Sequence, residues 1–309
     1  MRPSAIRIDR RLGLTFVVMI LGGCATTHGS REWSPPLTVP LRTELDGVPF
    51  VAQDTYQCGP ASVSMVLAWS GAAVPLDVVV NQVYSPARNG SLATDVASAV
   101  RRNGRLAYPI STLSAVILEI AAGNPVVILQ DAGTPNHPNW HFAVIVGYDL
   151  SRDEVILRSG LTRRAVLSVP QFERTWIASG HWGLVAVDPR RPPATAREDI
   201  YLEAAIGLEV ARQWQAAAEA YQAAHERWPD SLAALIGLGN SRYRLRDLPG
   251  AADAFRLATH MHPDTLIPFT NLAHVLAEMG RSDDTGASAR QAAESAQAVH
   301  LPLGVLEPP

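Results

Sequence analysis

Apolar positions along the chain follow two different periods, and the change from one to the other falls near residue 125. Before that point the pattern predicts short, partly amphipathic helices, and after it β-branched runs predict strands. The predicted helices cover residues 60–69, 76–84, 94–102 and 113–122, and the predicted strands cover residues 125–130, 141–148, 154–157 and 181–187. Helices followed by strands in one unit are typical of an α+β domain rather than of alternating βαβ units.

An Ala-rich helical region with an internal repeat follows a Pro-rich linker at residues 190–195. Pro263 lies 34 residues after Pro229, and the same step relates small and aromatic positions: Ala217 to Ala251, Tyr221 to Phe255, and Ala224 to Ala258. A 34-residue period with this order of residues resembles the tetratricopeptide repeat. We expect an all-α tetratricopeptide array over residues 198–298, with a degenerate unit from residue 266 as its cap; a plain helical bundle is the alternative.

The first residues have the pattern of an exported protein. Four arginines precede an apolar stretch at residues 12–21, which has the length of a signal peptide and is too short to span a bilayer as a helix. Leu21-Gly22-Gly23-Cys24 then resembles the bacterial lipobox. This resemblance implies a signal peptide over residues 1–23, lipidation of Cys24, and a lipidated tether over residues 24–45. An ordinary signal peptide with an incidental cysteine is the alternative.

Lipidation of Cys24 would anchor the protein stably to a membrane, since the implied modification adds two acyl chains to one residue. Ala25, rather than an aspartate, follows the cysteine. By the sorting rule of enteric bacteria, this residue implies a location in the bacterial envelope at the outer membrane, facing the periplasm.

Composition excludes some functions and draws attention to one side chain. The chain of 309 residues has a formal net charge of -3 and 18% charged residues, which does not favour binding to nucleic acid. Its two cysteines, Cys24 and Cys58, are too few for a disulfide framework. If Cys24 is lipidated, Cys58 is a free thiol in an oxidising compartment, where free thiols are a liability. We therefore expect Cys58 to have a chemical role.

Cys58 lies at the start of a predicted helix whose next residues are Gly59 and Pro60. Unpaired N–H groups and the helix dipole at this end favour a thiolate and could serve a developing oxyanion. Gln53 could supply a second donor, and His141, which opens a predicted strand, could be the base. The alternatives are a buried structural thiol for Cys58 and a histidine without a role for His141.

Gln53, Cys58-Gly59-Pro60-Ala61 and the later segment from His141 to Asp149 (HFAVIVGYD) resemble the bacteriocin-processing, double-glycine leader peptidase family. The likeness extends to its lipoprotein branch with a tetratricopeptide tail and covers residues 46–190. It implies a papain-like cysteine peptidase domain. It also implies the site residues: Cys58 as nucleophile, His141 as general base and then acid, and Gln53 as oxyanion donor.

Two positions depart from the family pattern. Gln53 lies five residues before Cys58 where many members have six, so that Gln57 is a second, geometrically awkward candidate. The family usually has an aspartate that orients the histidine, and the alignment places Ser159 there. A serine can accept an imidazole hydrogen bond but cannot stabilise imidazolium as a carboxylate does. Asp149 is the other candidate for this role.

The sequence thus predicts a lipid-anchored cysteine peptidase that cleaves a peptide or isopeptide bond through a Cys58 thioester. Its expected partners are a peptide or protein substrate and a protein bound by the repeats, with no nucleic acid, cofactor or metal. Two histidine pairs, His137 with His141 and His260 with His262, lack the further ligands of a metal site. A catalytically weak lipid-anchored scaffold and an acyl-transferring enzyme on the same dyad are the alternative functions.

Overall fold

The computed structural model describes residues 38–52, 57–134, 136–280 and 286. All of these residues fall within one compact unit. Among them, no helix combines the length and the apolar character that are needed to cross a membrane. The lipidation site predicted at Cys24 lies outside the described residues.

An antiparallel sheet of seven strands forms the centre of the first half of the unit. Six strands follow the order β2-β7-β3-β4-β5-β6, and β1 pairs with the far end of β4. The strands are β1 Arg42–Glu44, β2 Leu106–Ile110, β3 Val126–Asp131, β4 Trp140–Asp149, β5 Glu154–Ser159, β6 Thr162–Ser168 and β7 Gly183–Val187. β4 is almost fully buried, which explains why it is a nearly continuous apolar run rather than an alternating one.

Five helices pack around this sheet. They are α1 Cys58–Trp69, α2 Leu76–Val83, α3 Ala93–Arg102, α4 Leu113–Ala121 and α5 Val169–Trp176. α1 is apolar on most of its circumference and contacts β3, β4 and β7. Its buried side chains join Phe142, Val144 and Val146 of β4 in one core cluster, so the start of α1 is fixed relative to the central strand. The helices and antiparallel sheet fit the papain-like α+β domain that was predicted.

Residues Arg42–Glu44, which the sequence analysis placed at the end of the tether, instead form β1. They pair with Gly147, Tyr148 and Asp149 of β4. The Tyr148 hydroxyl also donates to the backbone oxygen of Pro40 at 3.0 Å. Backbone pairing to an existing strand requires no apolar pattern in the added strand, so composition alone did not reveal it.

The second half of the unit is entirely helical in its described part. Its helices are α6 Glu198–Val210, α7 Trp214–Arg227, α8 Leu232–Arg244, α9 Leu248–Met261 and α10 Leu266–Glu278. α6, α8 and α10 begin 34 residues apart, and so do α7 and α9. Tyr221 of α7 lies against Gly237, and Phe255 of α9 lies against Gly239, where no side chain larger than hydrogen would fit. The all-helical prediction is confirmed, and its period is that of the repeat found in the sequence.

Buried hydrogen bonds hold the segment between the two halves. Glu119 of α4 is fully buried, and its carboxylate accepts from Thr195 N at 2.7 Å, from Thr195 Oγ1 at 2.6 Å, and from Asn124 Nδ2 at 2.7 Å. The Tyr108 hydroxyl donates to Thr195 O at 3.0 Å and accepts from Arg197 N at 3.2 Å. Beyond this segment α6 packs on β2 and α3. The C-terminal end of the linker is therefore attached to the sheet domain.

Candidate active site

Cys58 is the first residue of α1, and its side chain is partly buried. The carbonyl of Gln57 accepts from Ala61 N at 3.0 Å, which closes the first turn of the helix. The N–H groups of Cys58 and Gly59 precede that first intrahelical bond and have no intrahelical acceptor, and Pro60 has no N–H at all. The thiol thus lies at the positive end of a helix dipole beside two donors that are available to an anion.

Gly59 allows the start of α1 to approach the loop before α3. A Cβ atom at this position would lie 2.5 Å from Ser91 Oγ and 2.6 Å from Ser91 Cβ. These separations are too short for any side chain, so only glycine fits beside the nucleophile position. Close packing on this side fixes the direction in which Cys58 leaves the helix.

His141 and Ser159 lie on neighbouring strands and contact each other directly. His141 Nε2 and Ser159 Oγ are 3.0 Å apart. If Nε2 carries the ring proton, it donates to the serine, and Nδ1 keeps the lone pair that a base needs. Burial lowers the pKa of His141 from its ordinary value, because desolvation disfavours the imidazolium form. The neutral, basic form of the ring is therefore favoured in the unliganded protein.

The thiol and the imidazole are not joined by a hydrogen bond in the described part of the chain. Cys58 packs against the core cluster that α1 shares with β4. The cysteine thus begins a helix that packs on β4, the strand that carries the histidine. Catalytic hydrogen bonds in unliganded enzymes are often loose and tighten only with substrate, so this arrangement is compatible with a Cys-His dyad without forming one by itself.

Of the other candidates, Gln53 lies outside the described residues. Gln57 is the N-cap residue of α1, and its side chain makes no capping hydrogen bond. Asp149 is eight residues from His141 along β4, which corresponds to about 26 Å of extended strand. Its Oδ1 atom accepts from Ser151 Oγ at 2.6 Å in the following turn. Asp149 therefore does not orient His141, and Ser159 is the side chain that contacts the ring.

Sequence reasoning did not select the polar residue that is paired with His141, nor the threonine that contacts that residue. Gln130 of β3 is directly paired with His141 across the sheet. Its side-chain oxygen lies 3.2 Å from Thr175 Oγ1 of α5. Gln130 is only 6% exposed, and a buried amide at the end of the apolar run PVVILQ was the one available signal. Thr175 had no signal, because its helix was not predicted.

Within the described residues, no group of three or more histidine, cysteine, aspartate or glutamate side chains could hold a metal ion. The chemistry available around the site is that of a thiol at a helix N-terminus and a neutral imidazole with a hydroxyl partner.

The model of the Peptidase_C39 like family matches residues 45–183, which include Cys58, His141 and Ser159. A search of curated proteins found no match. The family match supports the enzyme class expected from the sequence, a cysteine peptidase and therefore a hydrolase. It covers most of the sheet domain, from the end of β1 to the start of β7, and none of the five C-terminal helices.

Two solved structures are similar to part of the chain. A protein described as a C39-like peptidase from Bacillus anthracis is 21% identical, with 47% of this chain and 97% of that chain covered and a TM-score of 0.39. A double glycine motif protease from an AMS/PCAT transporter, in complex with its leader peptide, is 23% identical, with 45% and 91% covered and a TM-score of 0.35. Because both TM-scores lie below 0.5, neither neighbour bears on the roles of individual residues here.

Proposed function

We propose that the protein is a peptidase in which Cys58 is the nucleophile and His141 the general base, with Ser159 orienting the imidazole. The observation that carries this proposal is the position of Cys58 at the N-terminus of α1, a helix that packs on β4, the strand on which His141 contacts Ser159. The family match over the same residues supports it. The substrate class is a peptide or protein.

In the proposed reaction His141 removes the thiol proton, and the sulfur of Cys58 attacks the scissile carbonyl carbon. The oxyanion that forms is stabilised by the free N–H groups at the start of α1 and by Gln53. His141 then gives the proton to the leaving nitrogen as the C–N bond breaks, which leaves a thioester on Cys58. A water molecule, deprotonated by His141, then attacks the thioester carbon. The C–S bond breaks, the carboxylic acid product leaves, and His141 returns its proton to the sulfur of Cys58.

The neutral Ser159 makes this dyad weaker than one with a carboxylate. A hydroxyl can hold the ring in one tautomer through the 3.0 Å contact with Nε2. It adds no negative charge to offset the imidazolium that forms during the reaction. We therefore expect slower turnover than an aspartate at this position would allow.

The proposal extends to location and partners. Cys24 would carry the lipid that anchors the enzyme in the bacterial envelope, at the outer membrane facing the periplasm. The C-terminal helices would form a tetratricopeptide array that binds a protein partner or presents the substrate. Their 34-residue spacing and the aromatic side chains against Gly237 and Gly239 support this assignment.

The test is the pH dependence of iodoacetamide labelling in the full chain carrying Cys24→Ser, which leaves Cys58 as the only thiol. Alkylation consumes thiolate, and a thiolate–imidazolium pair extends thiolate to lower pH. We expect half-maximal labelling at a lower pH than in the same chain with His141→Ala. His137→Ala is the matched control and should leave the profile unchanged. Identical profiles with and without His141 would exclude the dyad.

A catalytically weak scaffold is the second candidate. The absence of a hydrogen bond between Cys58 and His141 among the described residues favours it, and so does the hydroxyl in place of a carboxylate. If the protein is a scaffold, the Cys58→Ala variant would still capture its partner. The captured protein would also be the same length as with the parent chain. A peptidase would instead accumulate uncleaved partner in the Cys58→Ala variant, which mass spectrometry of the captured proteins would reveal.

A further inference from the structure

His141 has a second polar neighbour on the side of the sheet away from β5. Gln130 is its direct partner in the antiparallel pairing of β3 with β4. Directly paired residues project to the same face, with their Cβ atoms about 4.5–5.5 Å apart. Ser159 contacts the ring from the strand on the other side. The imidazole therefore lies between a hydroxyl and a side-chain amide.

The orientation of the Gln130 amide follows from the hydrogen bonds of Thr175. Thr175 Oγ1 lies 2.8 Å from the backbone oxygen of Phe172 and 3.2 Å from Oε1 of Gln130. A hydroxyl has one proton to donate, and a backbone carbonyl can only accept. In the structure Thr175 Oγ1 is placed to donate to both oxygens, which one proton cannot do. Assigning the proton to the shorter contact leaves Thr175 Oγ1 as an acceptor for Gln130.

A 180° turn of the Gln130 amide satisfies this requirement and leaves the outline of the side chain unchanged. Nε2 then donates to Thr175, and the carbonyl oxygen points away from Thr175 on the face that Gln130 shares with His141. An amide oxygen is an acceptor whose dipole favours a nearby positive charge. In a site where Gln130 is 6% exposed, such a dipole is weakly screened by water.

We propose that Gln130, held by Thr175, is a positioning residue for His141 and that its side-chain carbonyl helps to stabilise the protonated ring. This inference rests on the proposed function, in which His141 becomes imidazolium. It supplies from β3 part of the stabilisation that the hydroxyl of Ser159 cannot provide from β5. Thr175 takes part only through Gln130.

The experiment measures the pKa of His141 by NMR in the full chain carrying Cys24→Ser, with ¹⁵N-labelled histidine. The signal of His141 among the nine histidines is assigned by its loss in His141→Gln. Gln130→Met removes the amide and should lower the pKa of His141 further. Thr175→Val releases the amide and should lower it by a smaller amount. Gln130→Glu replaces the dipole by a charge and should raise it.

Gln171→Met is the matched control, since Gln171 is exposed on the same helix as Thr175 and should not affect the ring. Circular dichroism checks that each variant is folded. An unchanged pKa of His141 in folded Gln130→Met and Thr175→Val would overturn the inference. Failure of the dyad itself has a different signature, because it leaves Cys58 labelling insensitive to His141→Ala whatever the ring pKa does in the Gln130 variants.

Discussion

The side chain that contacts Nε2 of His141 is a hydroxyl, and this single choice sets the strength of the proposed base. Burial already lowers the pKa of the ring, and among the described residues no carboxylate contacts it to offset that effect. Imidazolium is thus disfavoured twice, by desolvation and by the lack of a counter-charge. The reactivity of Cys58 at neutral pH should depend directly on what stands at position 159.

Ser159→Asp should strengthen the dyad. A carboxylate within hydrogen-bonding distance of Nε2 favours imidazolium, so the pKa of His141 rises and the thiolate of Cys58 persists to lower pH. The pH of half-maximal labelling should therefore fall, with the equilibrium changing about tenfold for each pKa unit. The measurement is the rate of iodoacetamide labelling of Cys58 between about pH 5 and 9, compared in the Cys24→Ser chain with and without Ser159→Asp.

Ser159→Ala should have the opposite effect, because it removes the acceptor that holds the ring. Ser168→Asp, at the exposed far end of the β5–β6 hairpin, controls for an added negative charge. If both Ser159 variants labelled like the parent chain, Ser159 would not be the residue that orients His141.

At the scale of elements, α1 and the loop before α3 meet at a position where only glycine fits. Gly59→Ala would place a Cβ atom within 2.6 Å of Ser91. We expect a loss of about 1–3 kcal/mol in the free energy of unfolding, typical of overpacking. Urea denaturation followed by circular dichroism measures it. Labelling of Cys58 should change as well, since the start of α1 must shift.

Gly90→Ala is the matched control, because the nearest atom to a Cβ at that position is 3.8 Å away. Adding Ser91→Gly to Gly59→Ala should restore much of the lost stability by removing the side chain that collides. A Gly59→Ala chain as stable as the parent would contradict the close packing described here.

Most helices and strands of the sheet domain could be predicted from apolar periodicity, with ends within two residues of those in the structure. The exceptions have physical reasons. β2 contains Pro109, which argues against a strand except at a sheet edge, and β2 is an edge strand. β6 is the opposite edge and is mostly exposed. β1 has three residues and depends on pairing with β4.

In the candidate site, too, local sequence patterns reveal some residues and not others. Cys58 and His141 could be named from the sequence because the residues around them form a recognisable pattern. The contact between Gln130 and Thr175 joins residues 45 positions apart. It exists only because β3 pairs with β4 in one register and α5 packs on β3. No local pattern encodes that register, so the second neighbour of His141 could be found only in the folded chain.

At the scale of the whole molecule, Glu119 joins the sheet domain to the segment that leads into the helices. Glu119→Gln should weaken this connection, because one carboxylate oxygen becomes an NH₂ group that faces donors, either those of Thr195 or those of Asn124 and Ala194. We expect a cost of about 1.5–3 kcal/mol in unfolding free energy. Faster proteolysis between residues 190 and 197 should accompany it, and limited trypsin digestion would measure this.

Glu203→Gln, on the exposed face of α6, is the control and should change stability by less than about 0.5 kcal/mol. Thr195→Val removes only the hydroxyl bond and should have an intermediate effect. Unchanged cleavage of the linker in Glu119→Gln would mean that other contacts, such as the packing of α6 on β2, suffice to hold the junction.

The bonded linker also bears on how a long substrate could be cut. A flexible linker between the helices and the sheet domain would let many different bonds of a bound protein reach the nucleophile. Here Thr195 and Arg197 are fixed to Glu119 and Tyr108, so the helices and the thiol of Cys58 keep one separation. In a protein bound by those helices, the cleaved bond would then lie at a constant number of residues from the segment that the helices bind.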